Sequence, residues 1–317
     1  MRTELSAIAD MLRGAKDIAV YAHTNPDGDA IACVLAVCSA LNAAGKRAVP
    51  VCDSPLPEKY LFMKGAETFV LPDKTVHEAA LALDSSGLSR LGGAGKSFLS
   101  AKKRAVIDHH RSHETFAPLD HTEPDAAACA EIVYFLLDGM GLVSKEVAGL
   151  LFAGIVADTG CFQYSSTTAR THDVARKLLA FDIDAADIVY RVVRRLTPAV
   201  FALKNRVLSK CRFFEDGRIA VISFLREDFA VTGTSPADTE GIIASAIDVD
   251  GVEVAFAVSE VGDKDYKISV RSKENADAGD IAAAFGGGGH IRAAGCRLSG
   301  FYEDVVDKLL KAARDRM

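Results

Sequence analysis

Residues 19–35, AVYAHTNPDGDAIACVL, decide how the first half of the chain is read. An apolar run stops at His23, Asp27 and Asp29 follow within six residues, and an apolar, helix-like run resumes. A strand that is apolar on both faces, then a tight turn, then a helix, is how a parallel sheet covered on two sides begins. The chemistry of the turn is the unusual part. A histidine and two carboxylates stand at the mouth of a buried strand.

The same texture recurs downstream. DIAVYAH (17–23), RAVPVC (47–52), LALD (81–84) and RAVIDHH (104–110) read as strands. Residues 28–44 read as a helix closed by Gly45, and residues 127–140 and 144–160 as further helices. Strands apolar throughout and separated by helices predict an α/β domain with a parallel sheet. After about residue 195 the pattern changes. LTPAVFALKNRVLSK reads as a connecting helix with Pro198 near its start. CRFFEDGRIAVISF reads as a hairpin about Asp216-Gly217, and residues 252–272 as a second hairpin with Gly-Asp in its turn. A glycine-rich loop and a closing helix follow. The expected division is a first domain over 1–190, a linker helix region over 191–210, and a smaller α+β domain over 211–317.

Composition bounds the partners. The chain has 317 residues, 49% hydrophobic and 25% charged, an ordinary globular balance large enough for two domains. A net charge of −6 argues against a long duplex-binding surface, which needs a basic stripe, but leaves room for a short nucleotide in a local basic pocket. The seven cysteines form no C-x-x-C pair and sit in apolar surroundings, so they read as reduced, buried thiols. The N-terminal MRTELSAIADMLRGA reads as an amphipathic helix rather than a signal peptide, and the longest apolar run is too short to span a bilayer. A cytoplasmic protein with no membrane partner is expected.

The ends of the apolar runs share one chemistry. His23 closes the first, with Asp27 and Asp29 on the turn beyond it; Asp84 closes another; Asp108, His109 and His110 close RAVIDHH; Asp158 ends LLFAGIVAD. Strand C-termini of a parallel sheet share one edge, where ligands bind. Carboxylates gathered there repel one another unless a cation intervenes. Mixed imidazole and carboxylate ligation suits Mn²⁺, Zn²⁺ or Fe²⁺ better than Ca²⁺, and a pair of ions roughly 3.5–4 Å apart suits this number of ligands. Taken singly, Asp84 or Asp158 is also an ordinary cap or turn residue, and His23 an ordinary structural histidine. The Asp-His-His tripeptide is harder to place that way, because two adjacent buried imidazoles need partners.

On these residues the chain resembles the DHH phosphoesterase family, in its DHH–DHHA1 branch. HTNPDGDA, LALDSS, VIDHH and VADTG match its four N-terminal motifs in order, and GGGGHIRAAG (286–295) its C-terminal signature. The members it is most similar to hydrolyse short oligoribonucleotides and 3′-phosphoadenosine 5′-phosphate. The resemblance implies one metal held by His23, Asp27 and Asp84 and a second by Asp29, Asp84, His109 and Asp158, with Asp84 shared. It implies Asp108 as a residue orienting a histidine, His110 facing the scissile phosphate, and two divalent ions, Mn²⁺ first, Mg²⁺ or Co²⁺ as alternatives. It also implies a cleft between the two domains.

The glycine run can be read physically as well. Consecutive glycines let backbone N–H groups approach a phosphate, His290 adds a donor, and Arg271 offers a planar fork. Gly287, Gly288, Gly289, His290 and Arg271 are therefore the expected substrate-binding residues, with a mobile surface loop as the plain alternative. Phe162 and Tyr164 are candidate base-stacking walls, Phe162 equally a core residue. Arg90 is a substrate contact or a helix cap. His77, His113, His121 and His172 read as surface or packing residues. Expected substrates are short single-stranded oligoribonucleotides or small nucleotides, not duplex DNA. Cyclic dinucleotides or their linear products, pyrophosphate, and a nucleotide-binding regulator without activity are the alternatives. Oligomeric state is left open, a homodimer included.

Overall fold

The computed structural model describes residues 3–239 and 241–317; Met1 and Arg2, at the start of the expected N-terminal helix, lie outside the described residues. The chain divides into two compact units between Arg195 and Leu196. The first runs α1 (Thr3–Gly14), β1 (Asp17–Tyr21), α2 (Gly28–Ala43), β2 (Arg47–Val51), β3 (Ala79–Leu83), α3 (Ala94–Ser100), β4 (Lys103–Asp108), β5 (Leu119–Thr122), α4 (Cys129–Met140), α5 (Lys145–Asp158), α6 (Ala169–Leu179) and α7 (Ala185–Val189). Its sheet has the order β2-β1-β3-β4-β5, every pair parallel.

Burial on both faces explains the unbroken apolar runs. Ile18, Val20, Leu81, Leu83 and Ile107 pack with α2, α4 and α5 on one side, while Ala19, Tyr21, Ala80, Ala82 and Val106 pack on Phe98 of α3 on the other. The short edge strand β5, LDHT, was not foreseen. Its four mixed residues carry no apolar run, and only pairing with β4 makes it a strand. From β1 the chain crosses to β2 on one side and then to β3 on the other. The crevice beyond the carboxyl ends of β1 and β3 is thus the topological switch point, where open parallel sheets bind ligands.

The second unit runs α8 (Pro198–Leu208), β6 (Arg212–Phe214), β7 (Ile219–Phe224), α9 (Arg226–Thr232), α10 (Ala244–Ile247), β8 (Val254–Gly262), β9 (Asp265–Ser272), α11 (Ala278–Ala283), β10 (Gly288–His290), β11 (Ala293–Ser299) and α12 (Tyr302–Arg314). Its sheet has the order β10-β11-β9-β8-β7-β6; β7–β8 is parallel and the other pairs are antiparallel. The helix read from sequence as connecting is α8, and its Leu203 and Val207 are buried with Ile222 and Phe224 in this unit's core. The glycine run is not wholly a loop, since Gly288–His290 pairs with β11. Glycines carry no hydropathy pattern, so nothing local announces such a strand.

Candidate metal centre

Four separate stretches deliver the candidate residues. His23 follows β1, Asp27 caps α2, Asp29 lies in its first turn, and Asp84 follows β3. Asp108 ends β4 with His109 and His110 beyond it, and Asp158 is the last residue of α5 rather than a strand end. His23, Asp29, Asp84, Asp108 and His109 are buried, His110 and Asp158 half-buried, and Asp27 exposed.

The two oxygens of Asp84 face different partners. Oδ2 is 3.9 Å from His23 Nε2, which is also 3.9 Å from Asp27 Oδ2. Oδ1 is 3.3 Å from His109 Nε2, which is 3.2 Å from Asp158 Oδ2. His23, Asp27 and Asp84 form one group with ligand atoms within 4.8 Å of one another, and Asp29, His109 and Asp158 another. Bonds of about 2.0–2.2 Å to a shared ion put neighbouring ligand atoms roughly 3–4 Å apart, which is the spacing of His23 from Asp27 and Asp84 and of His109 from Asp84 and Asp158. Asp84 Oδ1 is fully buried without a hydrogen bond of good geometry, an orphan that a cation would satisfy. The Asp84 backbone is left-handed, φ +55°, the kind of local strain that a packed surround holds in place at functional sites.

Both histidines are oriented by carbonyls. His23 Nδ1 donates to the Thr24 carbonyl (2.9 Å) and His109 Nδ1 to that of Ala126 (3.1 Å), leaving each Nε2 facing the carboxylates. Arg90 is not a helix cap. Its guanidinium lies 3.1 Å from His23 Nδ1 and can only donate, so it competes with the Thr24 bond, and the Thr24 bond is the one that frees Nε2.

Without an ion the cluster is electrostatically frustrated. Burial first, then the Asp84 charge, pushes Asp29 up to about 7. Burial also carries Asp158 well above the carboxylate range, at the carbonyl end of α5 where a negative charge is disfavoured. Burial would raise Asp84 too, but His109, His110 and His23 hold it below its ordinary value. Burial lowers His109, yet Asp84 and Asp158 outweigh it and take its pKa well up. Bringing in a divalent cation relieves these conflicts together by replacing protons.

Asp29 is held by features with no side-chain signature. Its Oδ2 accepts from the Cys129 amide (2.6 Å) and its Oδ1 from the Ala130 amide (3.1 Å), at the start of α4, where the helix dipole favours an anion. The Cys33 thiol adds a third contact at 3.4 Å. A Cβ on Gly154 of α5 would stand 2.5 Å from Asp29 Oδ1.

His113 is the clearest omission of the sequence reading. It is half-buried, with its side chain only 7% exposed. Asp108 Oδ1 accepts from His110 Nδ1 and Oδ2 from His113 Nδ1, both at 2.7 Å, and His113 Nε2 donates to Asp120 at 2.7 Å. Because His110 Nδ1 is committed to Asp108, His110 is less suited than His109 to ligation through that atom. His77 pairs with Asp17, His121 pairs with Glu123, and His172 stacks on Phe162 at 5.1 Å. Phe162 also packs against Phe152, whereas Tyr164 is exposed with its ring over Gly160.

In the second unit, strand register places His290, Ala293 and Arg271 in one row across β10, β11 and β9. Residues in one row project to one face, so Arg271 and His290 flank the small Ala293 about 10 Å apart. On the same face of β9 stand Lys267 and Ser269, while Tyr266, Ile268 and Val270 fill the core on the other. Arg271 Nη1 donates to the Val270 carbonyl. Close backbone approach accounts for two of the glycines. A Cβ at Gly287 would run into the Gly295 carbonyl, and one at Gly289, where φ is +151°, would lie 2.5 Å from that of Ala293. Gly288 alone of these three has open space beside it.

Residues 17–155 match the DHH family, N-terminal domain, and residues 221–317 match the DHHA1 domain. The chain is 32% identical to the bifunctional oligoribonuclease and PAP phosphatase NrnA of Thermus thermophilus, over 99% of this chain and 94% of that one. It is 26% identical to the probable bifunctional oligoribonuclease and PAP phosphatase NrnA of Streptococcus mutans, over 97% and 98%. The crystal structure of an exopolyphosphatase-related protein from Bacteroides fragilis superposes with a TM-score of 0.92 at 26% identity, covering 99% of this chain and 96% of that one. Among the described residues no helix is long and apolar enough to cross a membrane. The chain therefore belongs to the DHH family of phosphoesterases, in the branch that carries a DHHA1 domain.

Proposed function

We propose that the protein is a metal-dependent phosphodiesterase that degrades short oligoribonucleotides to mononucleotides and removes the 3′-phosphate of 3′-phosphoadenosine 5′-phosphate. The observation that carries the metal chemistry is the carboxylate of Asp84, with one oxygen toward His23 and Asp27 and the other toward His109 and Asp158. His23, Asp27 and Asp84 would hold one divalent ion, and Asp29, Asp84, His109 and Asp158 a second, with Mn²⁺ favoured by the mixed nitrogen and oxygen donors. Bound there, such a pair supplies an activated water and neutralises phosphoryl charge.

The chain's own residues do the rest. The Thr24 and Ala126 carbonyls hold the two imidazoles in the tautomer that can ligate. His110, half-buried and tied through Nδ1 to Asp108, would face the scissile phosphate; Asp108 overcomes the effect of burial and raises its pKa, which suits a donor to phosphoryl oxygen. In the second unit, Arg271 and His290 on one face of the sheet, with Ala293 between them and Gly288 alongside, would anchor a terminal phosphate. The exposed ring of Tyr164, six residues after Asp158, is the aromatic available to a base; Phe162 is taken up by packing. All seven cysteines are free, which fits a reducing compartment such as the cytoplasm.

A side-by-side assay tests the reading. Purified protein with Mn²⁺ should release mononucleotide from an RNA dinucleotide and phosphate from 3′-phosphoadenosine 5′-phosphate. Turnover confined to cyclic di-AMP or to pyrophosphate, or binding of every substrate with no turnover, would refute it.

A further inference from the structure

Asp108 has no exposure, and both of its oxygens are occupied by histidines. Proton counting defines the outer one. His113 lies between two carboxylates, Asp108 and Asp120, at 2.7 Å on each ring nitrogen, an arrangement that an imidazolium donating from both nitrogens satisfies. Burial opposes that charge, and Asp108 with Asp120 outweighs the opposition. Asp120 is fastened in turn. Its second oxygen accepts from the Phe116 amide at 3.1 Å, and its strand β5 is paired with β4, Val106 opposite Asp120. The result is a four-member chain, His110–Asp108–His113–Asp120, running from the candidate centre to the edge strand.

The turn between β4 and β5 is also held by its backbone. The His113 amide bonds to the His110 carbonyl at 3.2 Å and the Glu114 amide to that of Ser86 at 2.8 Å. What the imidazolium fixes is the plane of the Asp108 carboxylate, and so the direction in which the His110 ring is held. We propose that His113, anchored by Asp120, is a positioning residue for phosphoester hydrolysis, acting through Asp108 to aim His110 at the scissile phosphate. This rests on the function proposed above.

The test uses the full chain with Mn²⁺ and the linear dinucleotide pApA. His113→Gln should lower kcat roughly 10–100-fold, the usual effect of losing an orienting partner behind an active group, with KM within about twofold and Mn²⁺ stoichiometry unchanged. In a His110→Ala background the same substitution should cost nothing further, because residues that act through one another are not additive. Unchanged kcat, a rise in KM at full kcat, lost metal, or a fully additive double variant would each overturn the proposal. If His113→Gln does not fold, Asp120→Ala is read by the same criteria, with a smaller fall in kcat expected. A wild-type protein inactive on every phosphoester overturns the functional reading and this proposal together. An active wild type with an equally active His113→Gln variant removes this proposal alone.

Discussion

Gly154→Ala separates a structural glycine from one that makes room for chemistry. The residue lies inside α5, where alanine is ordinarily better than glycine by about 1 kcal/mol. Here the added Cβ would stand 2.5 Å from Asp29 Oδ1, 2.9 Å from the Ala130 Cβ and 3.3 Å from that of Ala32. Asp29 cannot yield cheaply, because two α4 amides and the Cys33 thiol hold its short side chain. Overpacking of this kind costs about 1–3 kcal/mol, and loosening a hydrogen bond to a charged group about 1.5–3 kcal/mol. Set against the helix gain, the net loss is about 1.5–5 kcal/mol, or a fall in Tm of about 3–20 °C for a unit of this size. Displacing Asp29 should also weaken Mn²⁺ binding by roughly 10–100-fold. The internal control is Gly149→Ala in the same helix, where the nearest atoms are Ile188 Cδ1 at 3.8 Å and Ile183 Cγ2 at 3.9 Å; it should hold or gain stability. Thermal melts without metal and titration of free Mn²⁺ by electron paramagnetic resonance read both effects. A Gly154→Ala protein that melts higher than wild type and binds Mn²⁺ equally well would show that Asp29 is not held as described.

Three further outcomes follow from the same geometry. Asp29 sits near 7 without metal, so between its ordinary value and about 7 the folded chain holds a proton that the unfolded chain has lost; metal-free stability should fall as pH rises through that window, and Mn²⁺ binding at pH 6 should release at least one proton. Calorimetry in buffers of different ionisation enthalpy measures that release, and none would contradict the site. Asp84→Asn, which tolerates the left-handed backbone but removes the shared charge, should abolish hydrolysis; near-normal turnover with full metal occupancy would disprove bridging. Arg271→Ala should raise KM by about one to two decades, equivalent to roughly 1.5–3 kcal/mol for a contact to a charged group, and a fall in kcat alone would contradict anchoring.

Much of the centre was legible because ligating groups must be particular side chains at strand ends. His23, Asp84 and His109 stand out where apolar runs stop, and the DHH motifs name the rest. The parts that escaped are those that function through backbone or distance. The Cys129 and Ala130 amides carry no side-chain signal, Gly154 reads as an ordinary helix glycine, and β5 has no apolar pattern until β4 pairs with it. His113 read as a surface or packing residue because its partner Asp120 lies seven residues on, in that unrecognised strand.

The primary structure alone determined the parallel-sheet first domain, the family and the identity of the candidate ligands, since hydropathy period and residue chemistry are local properties. Tertiary structure decided which oxygen of Asp84 faces which histidine, which ring nitrogen of His23 and His109 turns to the carboxylates, and that Asp108 is gripped from both sides. Those are matters of direction across contacts between segments far apart in the chain, as with the 100 residues between Asp29 and Cys129. Only packing sets direction.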